Sequence, residues 1–367
     1  KIVSAMTLEE KIGQLCQSFP GGTSLSDDLA AQIRAGQVSS IFYPNNDEIV
    51  RDAQRVAIEQ SRLGIPLIVA RDVIHGFRTI FPIPLGQAAS WNPELIEEAA
   101  KVSAFESRKV GIHWTFAPMV DISRDPRWGR IAESPGEDPV LASAVGTAMV
   151  RGFQLPDNRG VLRGVAACPK HFVAYGLSEG GRDYNRALVS RNELRNVFLP
   201  PFKACIDERA RTLLTAFNTF NGSPASGHVR LLRGVLKEEW QFSGFVVSDW
   251  GSTFEMIEHG SVANKSQAAK LSMEAGLDME MVSTCYASSL PNLVESGKIG
   301  MEMIDEAVSR IIDTKARRNL FAEPFANPKM KELVNDDYLE TAGKLARQSM
   351  VLLKNDATLP LDKKSLK

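Results

Sequence analysis

Short apolar runs alternate along the chain with longer stretches whose apolar positions recur at helical spacing. The runs lie at 38–43 (VSSIFY), 67–70 (LIVA), 112–117, 164–168, 212–217, 245–247 (FVV) and 277–281. Each reads as a buried strand of a parallel sheet. The stretches between them read as helices. Residues 6–15 carry Thr7 and Glu10 at the spacing of a capping box. In 47–62, Val50, Ala53, Val56 and Ala57 share one face. Residues 92–110 open on Asn92, Pro93 and Glu94, a cap, a first-turn proline and an acid at the positive dipole end. Further helices are expected at 140–154, 191–207, 231–240, 267–275, 302–319 and 338–353. In 302–319, Ile304, Ala307, Val308, Ile311 and Ile312 form one apolar stripe.

About seven strands alternating with helices predict an α/β fold of the (β/α)8, TIM-like barrel type. An open doubly wound sheet is the competitor, but no glycine-rich phosphate loop follows an early strand. No internal repeat of 20–50 residues is present. The barrel is expected to occupy residues 1–350. Residues 351–367 leave the last helix as LLKNDATLPL and then run out without apolar periodicity. They read as a linker toward a further domain, or as a frayed terminus.

Composition narrows the partners. Of 367 residues, 44% are hydrophobic and 24% charged, and the formal net charge is −1. That describes a globular chain able to bury a full core, with no positive field to draw nucleic acid or anionic lipid. No run of eighteen apolar residues would span a membrane. No leader is visible at 1–10, although a chain starting after a removed leader would look the same. Cys16, Cys168, Cys205 and Cys285 are scattered and form no C-x-x-C pair. They read as small buried hydrophobes rather than zinc ligands. No cofactor or metal is expected.

The candidate chemistry sits where the strands end. The FVV run stops abruptly in Ser248, Asp249 and Trp250, and LIVA stops in Arg71 and Asp72. Residues 164–168 lead into Lys170 and His171. With Arg78 and Arg130 from the following loops, these groups would converge on one barrel mouth. Carboxylates accept sugar hydroxyls, cations donate to them, and an indole covers the apolar face of a pyranose. Each residue also has a plain reading. Asp249 could cap a helix, Asp72 could sit in a turn, Arg130 could form a surface ion pair, His171 could be structural, and Trp250 could be core. Glu133 and Glu137 read as ordering their own loop. Lys170 opens a different chemistry, a Schiff-base lyase or aldolase, which needs a neutral amine. A non-catalytic sugar-binding barrel is the third reading.

Five stretches, in order, resemble glycoside hydrolase family 3 β-glucosidases and β-xylosidases, especially the bacterial periplasmic branch. They are DVIHGFR at 72–78, RDPRWGR at 124–130, KHF at 170–172, NTFNG at 218–222 and VSDW at 247–250. The combination is specific, while each motif alone is weak. The resemblance implies a retaining, exo-acting hydrolase of terminal β-D-glucosyl or xylosyl residues, acting on oligosaccharides or aryl glycosides in the periplasm or outside the cell. Asp249 matches the nucleophile and Asp72 the hydroxyl-binding carboxylate. Arg130, Lys170 and His171 match the other sugar ligands, and Arg78 and Trp250 match pocket-lining positions. The family's barrel is often irregular and continues into an α/β sandwich domain, which in the glucosidase branch supplies the acid/base glutamate. These 367 residues are expected to stop short of that domain. Two departures stand out. Phe217 replaces a tyrosine found in many relatives. The loop 173–184 lacks the His–Gly–Asp pattern of the N-acetylglucosaminidase branch, which leaves Glu179 or Asp183 as local substitutes for the acid.

Overall fold

The computed structural model describes residues 1–326 and 333–364. Eight short parallel strands form the frame: β1 (Cys16–Ser18), β2 (Ser40–Phe42), β3 (Ile68–Arg71), β4 (Trp114–Thr115), β5 (Ala166–Ala167), β6 (Thr212–Leu214), β7 (Phe245–Val247) and β8 (Glu280–Met281). The strands β8, β1, β2, β3, β4 and β5 hydrogen-bond in that order, and β6 pairs with β7. Parallel bridges from Phe172 to Thr215 and from Val247 to Met279 join the two sheets at both seams. The ring is therefore closed, as a β/α barrel requires.

Helices form where the caps are. Thr7 Oγ1 accepts the Glu10 N–H while Glu10 accepts the Thr7 N–H, so helix Leu8–Gln14 starts on a complete capping box. Asn92 caps Pro93–Lys109 through the Leu95 N–H. Asp138 caps Pro139–Gln154. The apolar faces of these helices pack on the outside of the barrel.

The inside is filled by aromatic rings and one polar chain. Trp114 packs edge-on against Phe116 at 4.6 Å and Phe245 at 5.1 Å. Its Nε1–H donates to Thr212 Oγ1 at 2.8 Å, and that hydroxyl donates to the Ala167 carbonyl. The buried indole thus keeps its hydrogen bond, as a core tryptophan should. Gly244 enters β7 so close to its neighbour that an added Cβ would lie 2.2 Å from the Arg211 carbonyl oxygen. Only glycine lets the β7 backbone approach there.

The structure departs from the sequence reading at several places, among them helices Asp27–Arg34, Pro84–Ala89 and Ser252–Glu258, which the sequence reading did not place. Strand β1 has the sequence CQS, without a β-branched run, and follows a helix directly, so no pattern announces it. Helix Cys285–Glu295 contains Pro291 and several serines, which masks its period. The helix expected at 338–353 is Asp336–Gln348, capped by Asn335. Residues 350–364 follow it without helix or strand and are exposed, and 365–367 of the expected linker lie outside the described residues. All four cysteines are buried and free. Among the described residues no helix is long and apolar enough to cross a membrane.

Candidate active site

The carboxyl ends of β3, β4, β5 and β7 carry the charged groups. Asp72 directly follows β3, and the next residue is tied down because the Val73 N–H donates to Thr115 Oγ1 at 3.1 Å. The loop beyond it hangs on Glu106, a buried carboxylate on helix Pro93–Lys109. Glu106 accepts the backbone N–H groups of Arg78 and Thr79 and the Thr79 hydroxyl at 2.7–2.9 Å. Lys170 and His171 follow β5. The backbone pairs Met119 with Lys170 and Phe172 with Thr215, so this segment is held between its two neighbours. Ser248 seats Asp249 at the end of β7. Its N–H donates to the Met279 carbonyl, and its Oγ accepts the Met281 N–H at 2.9 Å.

These ends bring five of the sequence candidates together. Lys170 Nζ, 4% exposed, donates to Asp72 Oδ1 at 2.7 Å. His171 Nε2 lies 3.4 Å from Asp249 Oδ2, and its Nδ1 lies 2.8 Å from Asp121 Oδ2. Arg130 makes a two-pronged pair with Glu133 at 2.7 and 2.8 Å, and its guanidinium lies over the Tyr175 ring. Arg130, Lys170 and Asp72 all act electrostatically on Asp249. Asp249 Oδ1 accepts the Trp250 N–H at 2.7 Å.

The electrostatics follow from burial. Burial pushes the Asp249 carboxyl up to about 7, opposed by Lys170, the Trp250 N–H and Arg130, with Asp72 adding to the rise. Burial also pushes Asp121 up to about 7, against the His171 backbone N–H and Arg130. Burial, then the charges of Arg130 and Lys170, hold the His171 imidazole well below its ordinary value, so the ring is neutral. Burial works against the Arg130 charge, but Glu133 and Asp249 more than offset it and its pKa stands above the ordinary value.

The remaining candidates sit at the edge. Trp250 is 42% exposed and packs edge-on against Phe19 and obliquely against Phe42, forming a rim wall rather than core. Arg78 is placed elsewhere. Its side chain is exposed over the Phe77 ring, and it lines a hollow of about 350 Å³ with Asn46, Arg71 and Phe77. That lining includes none of Asp72, Lys170, His171 and Asp249. Phe217 stacks on Tyr184, with ring centres 4.4 Å apart. Of the local acids, Glu179 is exposed and paired with Arg186, and Asp183 accepts the Trp128 indole N–H at 2.7 Å.

Sequence reasoning missed Asp121 and Glu106. Asp121 opens a polar loop and Glu106 lies inside a helix, so neither stood at a recognised strand end. The Lys170 ammonium, ion-paired with Asp72, suits a charged hydroxyl donor and not the neutral amine of a Schiff-base enzyme. Among the described residues, no group of three or more His, Cys, Asp or Glu side chains is placed to hold a metal ion.

Known proteins with similar sequences and structures cover almost all of this chain. The periplasmic β-glucosidase of Salmonella typhimurium is 40% identical over 99% of the chain and 48% of its own length. A β-xylosidase of Formosa agariphila is 33% identical over 88% of the chain and 48% of its own length. A crystal structure of a β-glucosidase from Listeria innocua in complex with glucose superposes with a TM-score of 0.92 at 40% identity, over 98% of this chain and 52% of that one. The chain thus spans about half the length of the curated relatives it matches. With the family model for the glycosyl hydrolase family 3 N terminal domain matching residues 7–314, the chain belongs to that family.

Proposed function

We propose that this chain carries the sugar-binding and nucleophilic part of a retaining, exo-acting β-glycosidase. One observation carries the reading. Asp249 stands in a buried cluster of charges with Oδ1 engaged by the Trp250 N–H and Oδ2 turned toward His171, with no backbone N–H donor to Oδ2 among the described residues. That oxygen attacks the anomeric carbon and forms a glycosyl ester, which water then cleaves. Asp72, Lys170, Arg130 and His171 bind the hydroxyls of a terminal sugar, and Trp250 lines the rim of the pocket.

The substrate class is β-glucosides or β-xylosides, as oligosaccharides or aryl glycosides. The support is the run of β-glucosidase and β-xylosidase relatives and the neighbour crystallised with glucose. Export to the periplasm or beyond is proposed on the periplasmic relative. The proposed division is a catalytic barrel over residues 1–350 and a linker over 351–367. We place the proton donor beyond these 367 residues, because Glu179 and Asp183 are committed to Arg186 and Trp128.

A 2,4-dinitrophenyl β-glucoside tests the reading, because its leaving group needs no protonation. The chain is expected to turn it over slowly, and Asp249→Asn to abolish that turnover while the variant still folds. An unchanged rate in the variant removes Asp249 from the chemistry. Full activity of the 367-residue chain on cellobiose refutes the placement of the proton donor.

A further inference from the structure

We propose that Asp121 is a positioning residue that keeps the His171 proton on Nδ1, so that Nε2 faces the pocket as an acceptor for one sugar hydroxyl. The proposal rests on the reading of this pocket as a sugar site. Asp121 follows β4 and His171 follows β5, and both side chains are fully buried. Asp121 Oδ2 takes the His171 backbone N–H at 2.9 Å and stands 2.8 Å from its Nδ1. Two donors on one oxygen clamp the imidazole in both position and rotation.

An ionised carboxylate only accepts hydrogen bonds, so Nδ1 must carry the proton. The titratable and charged groups facing the ring from its neighbours are Lys170 beside it, Arg130 on the loop after β4, Asp249 at the end of β7, and Tyr175, whose ring packs edge-on with centres 4.9 Å apart. The two cations and burial keep it from taking a second proton. Nε2 is then a lone pair, it lies 3.4 Å from Asp249 Oδ2, and no donor among the described residues reaches it. A buried acceptor without a partner beside a nucleophile is a place for a ligand hydroxyl. The opposite tautomer would tie Asp249 to an Nε2–H and set the Nδ1 lone pair against the Asp121 carboxylate.

Asp121 itself is faced by His171, Arg130, Lys170 and Glu133. Protonating it removes the acceptor that selects the tautomer, so the lock is strongest above neutral pH.

The test uses the 367-residue chain with 15N-labelled histidine. Long-range proton–nitrogen correlation at pH 8, with the signal identified by its absence in His171→Asn, should show His171 as the Nδ1–H tautomer. An Nε2–H tautomer or an imidazolium there overturns the proposal without any variant of Asp121 having to fold. Glucose and its monodeoxy analogues supply the functional arm. In the unmodified chain, loss of one hydroxyl should weaken binding about tenfold or more. Asp121→Leu should weaken glucose binding by a similar factor and erase that deoxy penalty. Asp121→Asn, which keeps one oxygen acceptor, should largely restore both. A deoxy penalty that persists in Asp121→Leu means a merely structural role and sinks the proposal. If the unmodified chain binds no glucose, the sugar-site reading fails, and the tautomer result still stands as a separate answer.

Discussion

His171 Nε2 stands 3.4 Å from Asp249 Oδ2, the histidine wholly buried and the aspartate 13% exposed. The pair joins the ends of β5 and β7, which meet only because the barrel closes between them. A neutral imidazole nitrogen and a carboxylate at this distance do not stabilise each other as an ion pair would. Both atoms are acceptors, so one hydroxyl proton satisfies Nε2 and leaves Asp249 Oδ2 free.

The first prediction concerns pH. As the proposed nucleophile Asp249 has to act as a carboxylate, and its pKa is pushed up to about 7. Reaction of the chain with a dinitrophenyl glycoside should therefore rise with pH through about 7 and level off above it. The Asp121 carboxyl, also near 7, acts in the same direction. A rate already flat from pH 4 upward contradicts the raised value.

The same carboxylate should cost stability. Its folded pKa lies above its ordinary unfolded value of about 3.9. Between roughly pH 4 and 7 the folded state holds a proton that the unfolded state has lost, so this group's contribution to stability falls as pH rises through that window. Asp249→Asn should stabilise the chain by at most about 4 kcal/mol at pH 7, the gain shrinking toward pH 4. Thermal melts at the two pH values read this directly, and a gain that grows on acidification would be the wrong sign.

Lys170 should matter for affinity. It is buried, paired with Asp72, and acts electrostatically on both Asp249 and His171. Lys170→Met removes the charged donor proposed to bind the sugar and leaves Asp72 without its partner. A loss of about 1.5–3 kcal/mol, roughly tenfold to a hundredfold in sugar affinity, is expected. Calorimetry with glucose measures it, and unaltered affinity would show that the ammonium serves the fold alone.

Glu106 should matter for the fold. Three hydrogen bonds from the loop after Asp72 end on its carboxylate. In Glu106→Ala the buried donors lose their acceptor, at about 1–3 kcal/mol for each group left unsatisfied. The variant should melt well below the parent, and sugar affinity should fall with it because Asp72 loses its anchored loop. A melting point within a degree or two of the parent would show that the loop has other support.

Much of this architecture was legible, for a physical reason. A strand buried on both faces of a parallel barrel favours an apolar run, so Ile68–Arg71 and Phe245–Val247 stand out, and the first polar residues after them mark the mouth. Asp72, Lys170 and Asp249 were found that way. Position after a strand does not give side-chain direction, and Arg78 turns to the neighbouring hollow although it lies in the same motif as Asp72. Buried carboxylates are harder still. Asp121 and Glu106 look like ordinary loop and helix acids until their donors arrive from elsewhere in the chain. Strand Cys16–Ser18 is too short and too polar to show a period, yet it pairs on both sides and completes the ring.

The most direct measurement is covalent labelling. The chain is incubated with 2,4-dinitrophenyl 2-deoxy-2-fluoro-β-glucoside, digested, and its peptides analysed by mass spectrometry. A fluoroglucosyl ester on Asp249 is the predicted result. A label on another carboxylate, or none after prolonged incubation of the folded chain, contradicts the assignment of Asp249 as nucleophile.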